Sequence, residues 1–133
     1  MIRVQLTPMP DSTKPVPIAY VVDDEKVISQ TLAMILNGSG FRAWAFTDPL
    51  QALRSSETLT PDLLISDVVM PEMNGVELCI RFKSAHPGCK ALLFSGQPAT
   101  ANLLEVASKQ GHDFQILAKP LHPKDLLAAI AKL

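Results

Sequence analysis

The stretch Leu63-Leu64-Ile65-Ser66-Asp67-Val68-Val69-Met70-Pro71-Glu72-Met73-Asn74-Gly75 decides the fold of this chain. Its apolar start predicts a buried strand over 62–66. Pro71, Asn74 and Gly75 predict a turn, and the run that follows predicts a helix over 76–85, stopped by His86-Pro87-Gly88. Asp67 therefore stands at the C-terminal end of a core strand, where open α/β sheets place their chemistry. Working outward, three other apolar runs end on polar residues. Ile18-Ala19-Tyr20-Val21-Val22 runs into Asp23-Asp24. Ala91-Leu92-Leu93-Phe94 runs into Ser95-Gly96, and Ile116-Leu117-Ala118 runs into Lys119-Pro120.

Helical patterns separate these strands. A helix over 25–36 carries Val27, Ile28, Leu32, Ile35 and Leu36 on one stripe, and Asn37-Gly38 is expected to stop it through positive φ. A strand over 42–46 precedes Thr47-Asp48-Pro49, where Asp48 is the expected N-cap and Pro49 opens the first turn, with Leu50 and Leu53 inward. Further helices are predicted over 99–110, closed by Gly111, and over 123–133, with Leu126, Leu127, Ile130 and Leu133 inward. Strict β/α alternation implies a parallel sheet with right-handed crossovers and helices on both faces. Five units in 133 residues favour the flavodoxin-like (βα)5 order 2-1-3-4-5, a doubly wound α/β sheet, over a barrel. In that order the first and third strands are neighbours, so Asp23, Asp24 and Asp67 converge.

Composition sets limits on function. The chain is 47% hydrophobic and 19% charged with a formal net charge of −1, which suits one compact domain. No basic stripe is present, so nucleic acid and anionic membranes are not expected partners of this chain. No apolar run reaches the roughly 20 residues of a membrane span. Residues 1–16, with four prolines among 1–17 and no signal-peptide pattern, read as a flexible lead-in, although Ile2-Val4-Leu6 alternate as a short strand would. Cys79 and Cys89 lack metal-site spacing and read as reduced thiols of a cytoplasmic protein. His86, His112 and His122 read as surface residues, Trp44 as structural, and Met70 and Met73 as packing or lining the loop. The Leu103-Leu104-Val106-Ala107 stripe reads as core packing, with any exposed remainder serving a partner.

Taken singly, an aspartate at a strand end is most often a helix cap or a turn residue. Four such features on one edge of one sheet call for a common explanation. Three carboxylates in a pocket repel one another unless a cation joins them, and Mg2+ prefers oxygen ligands. A carboxylate can also act as a nucleophile towards phosphorus. Phosphoryl transfer needs positioning and charge neutralisation, to which Lys119 adds a charge and Ser95 a hydroxyl, while Gly96 leaves room for a donor.

These residues resemble a response-regulator receiver domain, the phosphoaccepting half of two-component signalling. The likeness rests on Val21-Val22-Asp23-Asp24-Glu25, on Ser66 through Gly75, on Phe94-Ser95-Gly96 and on Ala118-Lys119-Pro120, and it covers residues 17–133. It implies that Asp67 accepts a phosphoryl group from a phosphohistidine on a sensor histidine kinase or histidine phosphotransfer protein. It implies Mg2+ held by Asp24, by Asp23 mainly through water, by Asp67 and by the backbone carbonyl of Val69. Ser95 would be the switch hydroxyl, Lys119 would pair with the phosphoryl oxygens, and the Lys119-Pro120 bond would be cis. The face made by the fourth helix, fifth strand and fifth helix would signal to a downstream protein target. The product is a phosphorelay switch and not an enzyme acting on an external metabolite.

One position departs from the family pattern. Receivers often carry Tyr or Phe three residues before the lysine, and here that residue is Ile116, so the switch would use a smaller side chain or a backbone shift. Val69 and Gln97 flank the site, and Val69 offers nothing to orient an attacking water, so a long-lived phosphoryl group is expected. A small aspartyl-phosphate phosphatase of the haloacid-dehalogenase kind would need an acid where Val69 stands. A pseudo-receiver would not need the complete set of Asp23, Asp24, Asp67, Ser95 and Lys119. No output module follows the last helix, which suits a stand-alone receiver or one excised from a longer protein.

Overall fold

A computed structural model describes residues 15–96 and 101–133. Strands β1 (Ile18–Val22), β2 (Arg42–Phe46), β3 (Leu63–Asp67), β4 (Lys90–Ser95) and β5 (Gln115–Ala118) alternate with helices α1 (Lys26–Asn37), α2 (Pro49–Ser56), α3 (Gly75–Ala85), α4 (Ala101–Lys109) and α5 (Pro123–Ala131). The strands are all parallel, in the order β2-β1-β3-β4-β5 expected from the sequence. The proposed N-terminal strand at Ile2-Val4-Leu6 and the flanking residue Gln97 lie outside the described residues.

Alternation along each strand builds two cores. Tyr20, Val22, Leu64 and Leu93 pack towards α2, α3 and α4, meeting Ala52, Leu78, Phe82 and Ala107. Ala19, Val21, Ile65, Leu92 and Phe94 pack towards α1 and α5, meeting Leu32, Leu36 and Leu126. The central strands β1 and β3 are covered on both faces, which is why they read as unbroken apolar runs. Leu103, Leu104 and Ala107 pack into the core as expected, and Val106 is the exposed remainder of the stripe.

Several local expectations change. Strand β3 extends to Asp67, one residue beyond the predicted 62–66 window, so the acid is the last residue of the ladder. Val27 is 76% exposed, because the first turn of α1 stands clear of the sheet at its C-terminal edge. Leu50 also faces outward, and α2 instead buries Pro49, Ala52 and Ser56. Asn37 ends α1 by a different route: its amide accepts from the Ala43 N–H (2.9 Å) and donates to the Ala43 carbonyl (3.3 Å). Gly38 keeps helical φ, and the left-handed residue is Gly40 (φ 96°). His86 is half-buried, with Nε2 3.0 Å from Ser56 Oγ, and ties α2 to α3. His122 caps α5 by accepting from the Lys124 N–H, while His112 stacks on Phe114. Asp48 caps α2 as expected.

The connection from β3 to α3 is the tightest place in the chain. The Gly75 N–H donates to Val68 O (2.8 Å) and Asn74 caps α3 through the Glu77 N–H. A Cβ at Gly75 would lie 2.0 Å from the Asp67 carbonyl oxygen and 2.9 Å from Ser66 Oγ, so only glycine fits. Glu72 takes φ 70° in a three-residue turn closed by the Met73 N–H on Pro71 O, which sinks Met70 and Met73 into the core. Gly75→Ala is therefore expected to destabilise the fold by roughly 2–4 kcal/mol, measured as a fall in the urea midpoint; an unchanged midpoint would mean that the helix shifts at no cost.

Candidate functional site

The edge of the sheet at the C-terminal ends of the strands is laced together by backbone hydrogen bonds. The Asp23 N–H donates to Phe46 O (3.0 Å), the Val68 N–H to Phe94 O (3.0 Å) and the Lys119 N–H to Ser95 O (2.9 Å). These bonds fix the places where Asp23, Asp67 and Lys119 leave the sheet. Their side chains then meet: Lys119 Nζ lies 3.2 Å from Asp23 Oδ2 and 3.3 Å from Asp67 Oδ2. The same ammonium sits 5.1 Å over the Phe94 ring, whose face favours a cation. The Lys119-Pro120 bond is cis, as expected.

Asp23, Asp24 and Asp67 each offer a carboxylate oxygen within 4.8 Å of the others. Asp23 and Asp67 are buried and Asp24 is exposed. Burial raises the pKa of Asp67, which Asp24 raises further and Lys119 opposes. Burial also raises Asp23, with Asp67 adding to the effect and the Glu25 backbone N–H opposing it. Burial works against the charge on Lys119, but Asp23 and Asp67 outweigh it and leave the pKa raised. A set of hard oxygen donors with one lysine among them fits a divalent cation of the Mg2+ type.

The mouth of the site is a cavity of about 250 Å³ lined by Asp24, Glu25, Asp67, Val69, Gly96 and Lys119. Val69 is 49% exposed on its rim. Ser95 is buried at the end of β4. Ile116 lies on the opposite face of the sheet from Lys119, half-buried against the core beneath α4. The structure thus gathers Asp23, Asp24, Asp67, Val69 and Lys119 at one pocket, with Ser95 at its edge and Ile116 behind it.

Two residues at the site had no role assigned from sequence. Ser66 Oγ donates to the Asp67 carbonyl (2.9 Å), backing the acid from the α3 side. Glu25 lines the mouth. The signal for Glu25 was present, since it directly follows Asp23-Asp24 and a glutamate is a poor choice for a helix N-cap.

A family model described as the response regulator receiver domain matches residues 19–131. The DNA-binding response regulator MtrA of Mycobacterium tuberculosis (strain ATCC 25618 / H37Rv) is 33% identical over 110 residues, covering 83% of this chain and 47% of MtrA. The transcriptional regulatory protein CreB of Escherichia coli (strain K12) is 29% identical over 114 residues, covering 86% and 49%. The chain spans about half the length of the curated relatives it matches. The signal receiver domain of an HD domain-containing protein from Pseudomonas fluorescens Pf-5 superposes with a TM-score of 0.80 at 29% identity, covering 89% of this chain and 94% of that one. A CheY-like receiver domain protein from Methanospirillum hungatei JF-1 gives a TM-score of 0.79 at 25% identity, covering 89% and 93%. Among the described residues, no helix is long and apolar enough to cross a membrane.

A carboxyl whose pKa rises on folding leaves the folded state holding more protons than the unfolded chain. Its contribution to stability therefore falls as pH climbs from the ordinary carboxylate range towards neutrality. Without divalent cations at pH 7, Asp67→Asn should raise the thermal midpoint by about 3 °C. The gain should shrink on acidification through the raised pKa, as followed by circular dichroism melts. A midpoint lowered at pH 7 would show that the Lys119 contact outweighs the burial of the charge.

Proposed function

Because the chain belongs to the response-regulator receiver domain family, matched over residues 19–131, we propose that Asp67 is its phosphoacceptor and that a receiver unit spanning 17–133 works as a phosphorelay switch. The observation that carries this reading is the position of Lys119 Nζ, 3.2 Å from Asp23 and 3.3 Å from Asp67, beside carboxylate oxygens gathered within 4.8 Å. The donor is a phosphohistidine on a sensor histidine kinase or a histidine phosphotransfer protein. A carboxylate oxygen of Asp67 bonds to phosphorus as the N–P bond breaks, and the imidazole nitrogen keeps the electron pair.

Mg2+, when bound, supplies two positive charges next to the phosphoryl oxygens. Asp23, Asp24, Asp67 and the Val69 carbonyl are the groups that would hold it. Lys119 exchanges its contact with Asp67 for the phosphoryl oxygens, and the Ser95 hydroxyl donates to another of them. Phosphorylation adds about −1.5 to −2 charge, and the pull on Ser95 and Lys119 biases β4, α4 and β5 between two arrangements. Ile116, packed beneath α4, would follow that movement with a smaller side chain than the family's usual aromatic. The face made by α4, β5 and α5 signals to a downstream protein. Nucleic acid and membrane are not partners of these residues, and no external metabolite is turned over. The free, buried thiols of Cys79 and Cys89 suit a cytoplasmic setting.

Incubation with Mg2+ and acetyl phosphate should add the mass of one phosphoryl group to the wild-type chain and none to Asp67→Asn, as read by intact-mass spectrometry. Gain in both would move the acceptor elsewhere. The apolar, half-exposed Val69 at the mouth predicts that the phosphoryl group, once on the chain, outlasts minutes without a partner. Loss within seconds would refute that.

A further inference from the structure

Glu25 lines the mouth of the site, yet the fold does not use its side chain. It occupies the N-cap position of α1 without making a side-chain cap hydrogen bond. Its backbone does the structural work there. The Glu25 carbonyl accepts from the N–H groups of Ile28 (3.0 Å) and Ser29 (3.1 Å), and its N–H donates to Asp23 Oδ1 (2.8 Å). The usual N-cap acceptors, Ser, Thr, Asp or Asn, would stabilise the helix better. Glu25 instead lines the cavity that opens on Asp67, together with Asp24, Val69, Gly96 and Lys119.

Its charge tips the balance of the mouth. Asp23 and Asp67 pair with the ammonium of Lys119, Asp24 joins their cluster, and Glu25 adds a fourth acidic residue at the mouth. A divalent cation on the three aspartates would offset two of those charges, and Glu25 would still leave the entrance net negative. A phosphodonor is itself an anion. A small free donor has little beyond its charge to set against this repulsion, whereas a protein donor brings a contact surface with it.

Resting on the assignment of Asp67 as the acceptor, we infer that Glu25 is a specificity-determining residue that disfavours free anionic phosphodonors relative to a phosphohistidine presented by a protein. The cost to a small donor should scale with its charge, by about threefold in rate per unit of donor charge at low salt.

Two small donors separate charge from chemistry. Acetyl phosphate is a dianion at neutral pH and loses acetate as its P–O bond breaks. Phosphoramidate is net a monoanion and loses ammonia as its P–N bond breaks. In both cases an Asp67 oxygen forms the new bond to phosphorus. Rates of mass gain are measured for the whole chain, at Mg2+ concentrations shown to be saturating for each variant by calorimetry. Glu25→Gln should speed transfer from acetyl phosphate about tenfold and from phosphoramidate about threefold. The gain should appear in the donor concentration needed for half-maximal rate, not in the maximal rate, and should fade as salt is raised to about 0.5 M. Glu25→Lys should go further in the same direction, and Glu25→Asp should move the donor preference back towards that of the wild type.

An equal gain with both donors, a gain that salt leaves untouched, or no gain at all would overturn the role of Glu25 while leaving Asp67 as the acceptor. Failure of either donor to phosphorylate the wild type and every variant would overturn the Asp67 assignment and this inference with it.

Discussion

Lys119 Nζ between Asp23 and Asp67 is the interaction on which the rest of the molecule turns. Asp23 and Asp67 are buried acids that resist ionisation, so the edge of the sheet would be electrostatically unstable without a counter-charge. That counter-charge has to come from β5, the last strand, which is brought beside β4 only by the doubly wound order. The arrangement therefore couples the two ends of the chain, with Asp23 and Lys119 separated by 96 positions in sequence. In the proposed reaction Lys119 would give up part of this contact, so the site is held together by the bond that signalling would exchange.

Around that contact the backbone is arranged with little slack. The ladder hydrogen bonds of Asp23, Val68 and Lys119 fix three exits from the sheet, and Gly75 lets the start of α3 press against the Asp67 carbonyl. Ser66 Oγ holds that carbonyl from the same side. Asp67 is thus fixed in its backbone and held at its side chain by Lys119, which suits chemistry that depends on positioning. Asp24, Glu25, Val69 and Gly96 are the exposed residues of the site, at the mouth.

Much of this was legible in the sequence, because apolar runs and terminal acids carry information that does not depend on distant partners. The order of the strands, the convergence of Asp23, Asp24 and Asp67, and the positions of Ser95 and Lys119 all follow from alternation and sheet topology. What was not legible depended on where a helix turn ends relative to the sheet. Val27 and Leu50 have the right period for a core stripe, but periodicity does not reveal that a first turn overhangs the strand ends or that α2 buries smaller residues. Asn37 looked like a positive-φ stop, and its clamp on Ala43 needs the following strand in place. The pairing of His86 with Ser56 spans 30 positions and leaves no local trace. The left-handed Glu72 carries no turn signature of its own, and its conformation is set by the burial of Met70 and Met73 on either side.

Cys79 and Cys89 both lie in the core that α2, α3 and α4 share with the sheet. Burial pushes the Cys89 thiol up to about 11, and that of Cys79 further still. Neither sulfur is exposed to solvent or readily ionised while α3 lies on the sheet. The native protein therefore carries two buried thiols on one side of the sheet, and the reaction of Cys79, which lies on α3, with an alkylating probe becomes a clock for the lifting of that helix. The opposite core, packed by α1 and α5, holds no cysteine among its buried residues. Alkylation rates would thus read the opening of one half of the molecule without interference from the other, and so tell whether the two halves breathe together.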